Sequence, residues 1–164
     1  MKKINQYAIC EQIHKGKRSL IYRGYCLSDQ TQRVVLKILN CQHPTPQEIA
    51  QFRQEYEITQ QLHDLNGVIQ VYALEPYNQS LMIVMEDCGA RTLTGMRLSV
   101  IECLRISIRI TEILEGIHHQ KLIHKDINPS NIVWNKETTQ IKIIDFGIAS
   151  FLSNEPINIT SIQG

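Results

Sequence analysis

The spacing of apolar residues along the chain predicts two helices. The first is expected over about residues 45–63, because Thr45-Pro46-Gln47-Glu48 combines a capping box with a proline at the first helical position. The second is expected over about residues 99–120, where Ser99-Val100-Ile101-Glu102 forms another capping box. Apolar residues recur in it every three or four positions and predict one buried face: Ile106, Ile110, Ile113, Leu114 and Ile117.

Shorter apolar runs predict β-strands before and after these helices. Residues 33–39 and 81–86 are nearly continuous apolar segments, and Lys37 is a charged residue in the middle of the first. Residues 131–135 and 140–144 are rich in β-branched residues and are joined by a short polar segment. This pattern predicts a β-hairpin.

Two motifs carry the clearest chemical signal. The run from His124 to Asn131, His-Lys-Asp-Ile-Asn-Pro-Ser-Asn, is followed fourteen residues later by Asp145-Phe-Gly. Phosphoryl transfer needs a carboxylate that accepts the proton of the attacking hydroxyl, together with oxygen ligands for Mg²⁺. Asp126 fits the base, and Asn131 and Asp145 fit the metal ligands that the hairpin would bring together. The alternative is that these residues only form turns around a proline.

Lys37 also has two interpretations. An ammonium group in a buried strand needs a partner, whereas a lysine on an edge strand can reach solvent. The helix that follows offers Glu55 and Glu57, which lie about 200° apart at the helical repeat. Only one of them can face the lysine.

From Tyr7 onward, the chain resembles the N-terminal lobe and catalytic loop of a eukaryotic-type protein kinase. More narrowly, four segments resemble the serine/threonine kinase domain that opens very large bacterial signalling proteins, notably cyanobacterial ones. Those segments are residues 7–13, 52–58, 74–77 and 124–127. In such proteins ATP-binding, GAF sensor and histidine kinase modules follow.

The resemblance implies an α+β, bilobal kinase-like fold. It places an antiparallel-sheet lobe with one main helix over residues 7–86, a hinge and linker over 87–98, and a partial helical lobe over 99–164. The last part would hold the catalytic loop, the DFG motif and the start of the activation segment. The implied activity is transfer of the γ-phosphoryl group of ATP, with Mg²⁺, to a serine or threonine hydroxyl of a protein of unknown identity.

The resemblance also implies the residues of the site. Glu55, seven residues before Leu62, would hold Lys37 on the α- and β-phosphates, leaving Glu57 at the surface. Met85 would be the gatekeeper, and the backbones of the hinge residues would bond adenine. The implied ATP-binding residues are Ile13, Gly16, Ile21, Val35, Lys37, Met85, Glu86, Cys88 and Val133.

Several positions depart from the kinase pattern. In the loop where kinases usually carry three glycines only Gly16 remains, with His14 and Ser19 at the other two positions. The flanking cations could compensate with side-chain charge or form a solvated basic turn: Lys15, Lys17 and Arg18.

The catalytic loop departs from the pattern at two positions. Lys125 stands where phosphorylation-regulated kinases usually carry arginine, so that route of regulation is not expected. Asn128 replaces a lysine commonly aimed at the γ-phosphate, which predicts slower transfer and a rate increase for Asn128→Lys.

Composition narrows the class of protein. A net charge of +1 gives no electrostatic reason to expect binding to nucleic acid or a membrane surface. Five scattered cysteines form no Cys-x-x-Cys pair, which favours a reducing cytoplasm. No apolar run approaches the roughly 20 residues that span a bilayer.

The end of the chain leaves alternatives open. Only seventeen residues follow Gly147, too few for the remaining helices of a kinase. We therefore expect further domains beyond Gly164 in a longer polypeptide, and exposed apolar surface on the helix over 99–120. One alternative is a pseudokinase-like module that binds nucleotide or partner proteins, and another is a small-molecule kinase of the aminoglycoside phosphotransferase type.

Overall fold

The computed structural model describes residues 2–152, which form two α-helices, one turn of 3-10 helix at Pro129–Asn131 and eleven strands. Helix α1 spans Pro46–Gln61 and helix α2 spans Val100–His119. The strands, in chain order, are β1 Lys3–Ile4, β2 Tyr7–Lys15, β3 Ser19–Cys26, β4 Arg33–Leu39, β5 Val71–Tyr77, β6 Ser80–Glu86, β7 Arg91–Thr92, β8 Leu122–Ile123, β9 Ile132–Trp134, β10 Ile141–Ile143 and β11 Ser150–Phe151.

The N-terminal part is a six-stranded antiparallel sheet in the order β1-β2-β3-β4-β6-β5. Side chains alternate between its faces, so each strand contributes to two different layers. One face buries a core that includes Tyr22, Leu36 and Met82. The opposite face packs on α1 through Leu39, Phe52 and Ile83.

Both helices begin at the capping boxes predicted from the sequence. The Thr45 hydroxyl accepts a hydrogen bond from the amide of Glu48, whose carboxylate bonds back to the Thr45 amide. Ser99 and Glu102 repeat this arrangement at α2. Each box satisfies amide groups that a helix start otherwise leaves without partners.

The C-terminal part packs α2 against the hairpin formed by β9 and β10. Strand β7 pairs with β9, and β8 pairs with β11. One core runs through this part and reaches α1 and the Asp-Phe-Gly segment. Its largest members are Ile58, Leu62, Ile106, Ile113, Ile117, Leu122, Ile132, Trp134, Ile141, Ile143 and Phe146.

The predicted α+β architecture is confirmed, with an antiparallel sheet, one main helix beside it and the start of a helical part. The sheet also includes Lys3–Ile4, which precede the boundary expected at residue 7. The expected linker contains β7, so it is partly docked on β9. The C-terminal stretch of the expected third region, residues 153–164, lies outside the described residues.

One face of α2 exposes apolar side chains, as expected from the sequence. Val100, Ile101, Leu104 and Ile108 are each more than half exposed. Within residues 2–152, no helix is both long and apolar enough to cross a bilayer.

Candidate active site

The sheet face toward α1 carries the candidate nucleotide-binding residues. In the strand register Ile21 lies opposite Lys37, and Val35 lies opposite Met85. Directly opposed residues share a face, and so do residues two apart in one strand. Lys37 therefore has half-buried apolar neighbours on its own face, at Ile21, Val35 and Met85.

Lys37 is buried and lies between two carboxylates. Its Nζ is 2.5 Å from Oε1 of Glu55 on α1 and 3.0 Å from Oδ1 of Asp145. Burial alone would lower the pKa of Lys37, but the two carboxylates outweigh it and hold that pKa above its usual value. The ammonium is therefore charged, and it ties β4, α1 and the Asp-Phe-Gly segment together.

The helical repeat explains why Glu55 and not Glu57 is the partner. Glu55 is 7% exposed and faces the sheet, whereas Glu57, about 200° around the helix, is exposed. The structure thus pairs Lys37 with the glutamate favoured from the sequence.

The catalytic-loop carboxylate is held by two amide side chains. Nδ2 of Asn128 donates to Oδ1 of Asp126 at 2.9 Å, and Nδ2 of Asn131 donates to Oδ2 at 2.8 Å. The Asn128 side chain also accepts from the Ser130 amide at 2.9 Å and so caps the turn at Pro129–Asn131. Asp126 itself is exposed, so its oriented oxygens are accessible from solvent.

His124 fixes the backbone on both sides of the site. Its Nε2 lies 3.0 Å from the carbonyl of Ile144, and its Nδ1 accepts from the Asp126 amide at 3.2 Å. Its ring also meets the buried Phe146 edge-on, with centroids 4.7 Å apart. Burial lowers the pKa of His124, which keeps the imidazole neutral with Nδ1 free to accept.

The donor set fits a magnesium ion. Mg²⁺ prefers oxygen ligands and usually keeps positions for phosphate and water. The Nδ2 of Asn131 donates to Asp126. The carbonyl oxygen of the Asn131 side chain therefore faces away from Asp126 and is available as a ligand. Asp145 lies at φ 65°, a left-handed conformation, and its side chain is 45% exposed. Asn131 and Asp145 together offer an amide oxygen and a carboxylate.

The hinge region is tied to the C-terminal part through side chains. Nδ2 of Asn135 donates to the carbonyl of Cys88 at 2.8 Å, and the carboxylate of Glu86 accepts from the buried Lys142. Val133, 9% exposed, lies opposite Lys142 in the register of β9 and β10. The backbone of residues 86–88 is therefore fixed relative to β9 and β10.

These tethers and one contact of α1 were not predicted from the sequence. Lys142 is 5% exposed in a short apolar strand, the same signal that singled out Lys37. Asn135 gave no comparable signal. Gln51 on α1 donates to the carbonyl of Gly147 at 3.1 Å and so helps to hold the Asp-Phe-Gly segment against the helix.

The β2–β3 turn places the remaining predicted residues at the open end of the sheet. Ile13 is 43% exposed and lies in a bulge of β2 between Gln12 and His14. Gly16 begins the turn, and its amide donates to the Ser19 carbonyl at 2.9 Å.

The sequence is similar to those of several known proteins. The protein kinase domain profile matches residues 7–164. A serine/threonine-protein kinase of Saccharomyces cerevisiae is 27% identical over 159 residues, which cover 94% of this chain and 14% of that protein. A probable serine/threonine-protein kinase of Dictyostelium discoideum is 26% identical over 90% of this chain and 14% of its own length.

A bacterial protein is similar as well. A probable serine/threonine-protein kinase of Clostridium perfringens is 28% identical over 98% of this chain and 24% of its own length. The chain thus spans at most about a quarter of the length of these three relatives.

Proposed function

This chain belongs to the protein kinase domain family, and on that premise we propose that it binds ATP with Mg²⁺ and transfers the γ-phosphoryl group to a serine or threonine hydroxyl of a protein. The single observation that carries the proposal is the position of the Lys37 ammonium between Glu55 and Asp145. This contact joins the candidate phosphate-binding lysine to the candidate metal ligand.

Each residue has one task in this proposal. Lys37 binds the α- and β-phosphates, and Glu55 holds its ammonium in place. Asn131 and Asp145 would hold Mg²⁺, which when bound neutralises charge on the phosphates. Asp126 accepts the proton of the substrate hydroxyl, and the two amides on its oxygens set its orientation.

Adenine would lie on the apolar part of the same face. Ile21, Val35 and Met85 are half-buried there, and Val133 is the corresponding apolar residue on β9. The tethered backbone of Glu86 and Cys88 would supply the adenine hydrogen bonds. Ligand sites commonly lie at such junctions between two structural units.

Phosphoryl transfer from γ-labelled ATP tests the proposal. The full polypeptide that carries this domain would be assayed with Mg²⁺ and dephosphorylated casein as a generic acceptor. We expect Asp126→Asn to lower the rate about 10²–10⁴-fold, since it removes the base. Asp64→Asn, a matched change at an exposed aspartate of the α1–β5 loop, should leave it unchanged. Equal activity of the two variants would refute the proposal.

A pseudokinase-like nucleotide-binding module is the second candidate. It is favoured by the turn at Gly16, whose amide is used inside the turn, and by the absence of a lysine at Asn128. ATP binding without transfer by the intact protein would select it. The small-molecule kinase alternative has no such observation in its favour, because the matched family is that of protein kinases.

We further propose a cytoplasmic protein with additional domains after residue 164, of the kind found in large cyanobacterial signalling kinases. The five cysteines are all free, which suits a reducing compartment. The relatives are several times longer than the region they share with this chain, which supports additional domains. The mass of the natural polypeptide, measured by immunoblot, tests this: a species far above 18.9 kDa is expected.

A further inference from the structure

The β2–β3 turn is closed in a way that uses its own backbone. The Gly16 amide donates to the Ser19 carbonyl at 2.9 Å. Asn40, just after β4, binds the turn twice: its side chain donates to the Gly16 carbonyl at 3.0 Å and its amide to the Arg18 carbonyl at 2.8 Å. In kinases the glycine-rich loop covers the ATP phosphates, yet here the amide of the one remaining glycine is already bonded.

His14 lies on the same face of the sheet as Lys37. The register places His14 opposite Ile21, and Ile21 opposite Lys37, so the three residues form one row across β2, β3 and β4. With neighbouring strands about 4.8 Å apart, the backbones of His14 and Lys37 are about 10 Å apart. This is a span that a nucleotide's ribose and phosphates can bridge.

The His14 imidazole is exposed and lies over the turn. A Cβ built on Gly16 would come within 2.7 Å of Nε2 of His14, so the ring covers the glycine. Within residues 2–152 the ring has no hydrogen bond or ion pair. Lys17, at the tip of the turn, is likewise exposed and has none.

The other two cations of the turn are directed elsewhere. Lys15 lies on the face of the sheet opposite to Lys37. It pairs with Leu20 in the strand register, and Leu20 pairs with Ile38, which belongs to the core on that face. The pKa of the Glu48 carboxyl on α1 is lowered mainly by its hydrogen bonds to Thr45. The charge of Arg18 is close enough to add to this lowering.

We propose that the turn holds the phosphate chain of the nucleotide through the side chains of His14 and Lys17 instead of through glycine amides. This inference rests on the proposed function, because it concerns the same nucleotide. An imidazole N–H and an ammonium are both donors that pair well with phosphate oxygens. The residue that departs from the glycine pattern becomes a binding residue.

Titration calorimetry with adenosine, AMP, ADP and ATP tests this on the full polypeptide. We expect His14→Gly, which installs the usual glycine, and His14→Ala each to weaken ATP binding about tenfold. Lys17→Gln should do the same to a similar degree. Adenosine affinity should not change in any of them. Lys3→Gln, which removes an exposed charge on β1, is the matched control and should bind ATP like the wild type.

The outcomes separate this proposal from the proposed function. Unchanged or tighter ATP binding by His14→Gly would overturn the inference, because backbone amides would then suffice. An equal loss for adenosine and ATP would also overturn it, since the effect would not depend on phosphate. A wild type that binds none of the four ligands would instead refute the proposed function itself.

Discussion

Replacing Glu55 with glutamine should destabilise the fold by about 2 kcal/mol. The Lys37 and Glu55 side chains are 10% and 9% exposed, and their charged atoms are 2.5 Å apart. Removing one partner of a fully buried pair costs about 3–5 kcal/mol, because a charge is left uncompensated. Here Asp145 stays 3.0 Å from the ammonium, and glutamine keeps an oxygen that can accept. The loss should therefore approach that of one charge-assisted hydrogen bond, about 1.5–3 kcal/mol.

Urea unfolding followed by the fluorescence of Trp134 measures this change. The chain has one tryptophan, and its side chain is buried in the core that reaches α1. A loss of about 2 kcal/mol lowers the folded-to-unfolded ratio by a factor of about 30. Glu57→Gln, on the exposed side of the same helix, should change the free energy of unfolding by less than about 0.5 kcal/mol.

Two results would contradict a stabilising role for the ion pair of Lys37 and Glu55. Equal costs for Glu55→Gln and Glu57→Gln would mean that the buried ion pair contributes nothing beyond a surface charge. A stabilised Glu55→Gln would mean that burying the carboxylate costs more than its bond to the lysine returns.

Three further predictions concern other parts of the site. The pKa of His124 is lowered below its usual 6.5 in the folded chain, so the unfolded chain binds more protons near that pH. The free energy of unfolding should therefore be constant above about pH 6.5 and fall below it. Urea unfolding from pH 8 to 5 measures this. A pH-independent stability would contradict the buried neutral imidazole. In the same assay, Lys142→Met should lower the free energy of unfolding by about 3 kcal/mol, because it leaves the Glu86 carboxylate without its ammonium partner. The double change Lys142→Met with Glu86→Gln should recover part of that loss, because it removes the unpaired charge. Asn128→Lys should raise the turnover in the casein assay by adding a positive charge near the γ-phosphate. An unchanged or lower rate would show that the bond from Asn128 to Asp126 matters more than the charge.

The sequence predicted the parts of the fold that local rules determine. Both helix starts follow from a Ser or Thr three residues before a Glu, which is a short-range signal. The helical repeat shows that only one of Glu55 and Glu57 can face the sheet, and the resemblance to kinases, through the spacing to Leu62, favoured Glu55. The roles of Asp126, Asn131 and Asp145 in chemistry stay predictions, although the structure places Asp126 beside Asn131 and Asp145 beside Lys37.

The contacts that the sequence did not predict join distant segments. Lys142 and Glu86 are 56 positions apart and meet only when the C-terminal hairpin docks on the hinge. Strand β7 has two residues, too few for a periodic pattern. The orientation of His14 depends on a bulge between Gln12 and His14, which shifts the alternation of β2 and cannot be read from the residues alone.

The magnesium dependence of ATP binding is the decisive measurement for the pairing of Lys37 with Asp145 in a nucleotide site. Calorimetry on the full polypeptide would compare ATP with and without Mg²⁺, for the wild type and for Asp145→Asn. We predict that Mg²⁺ tightens ATP binding to the wild type, and that Asp145→Asn removes most of this gain because it removes the carboxylate ligand. The same affinity with and without Mg²⁺, or the same gain in both proteins, would contradict the assignment of this site.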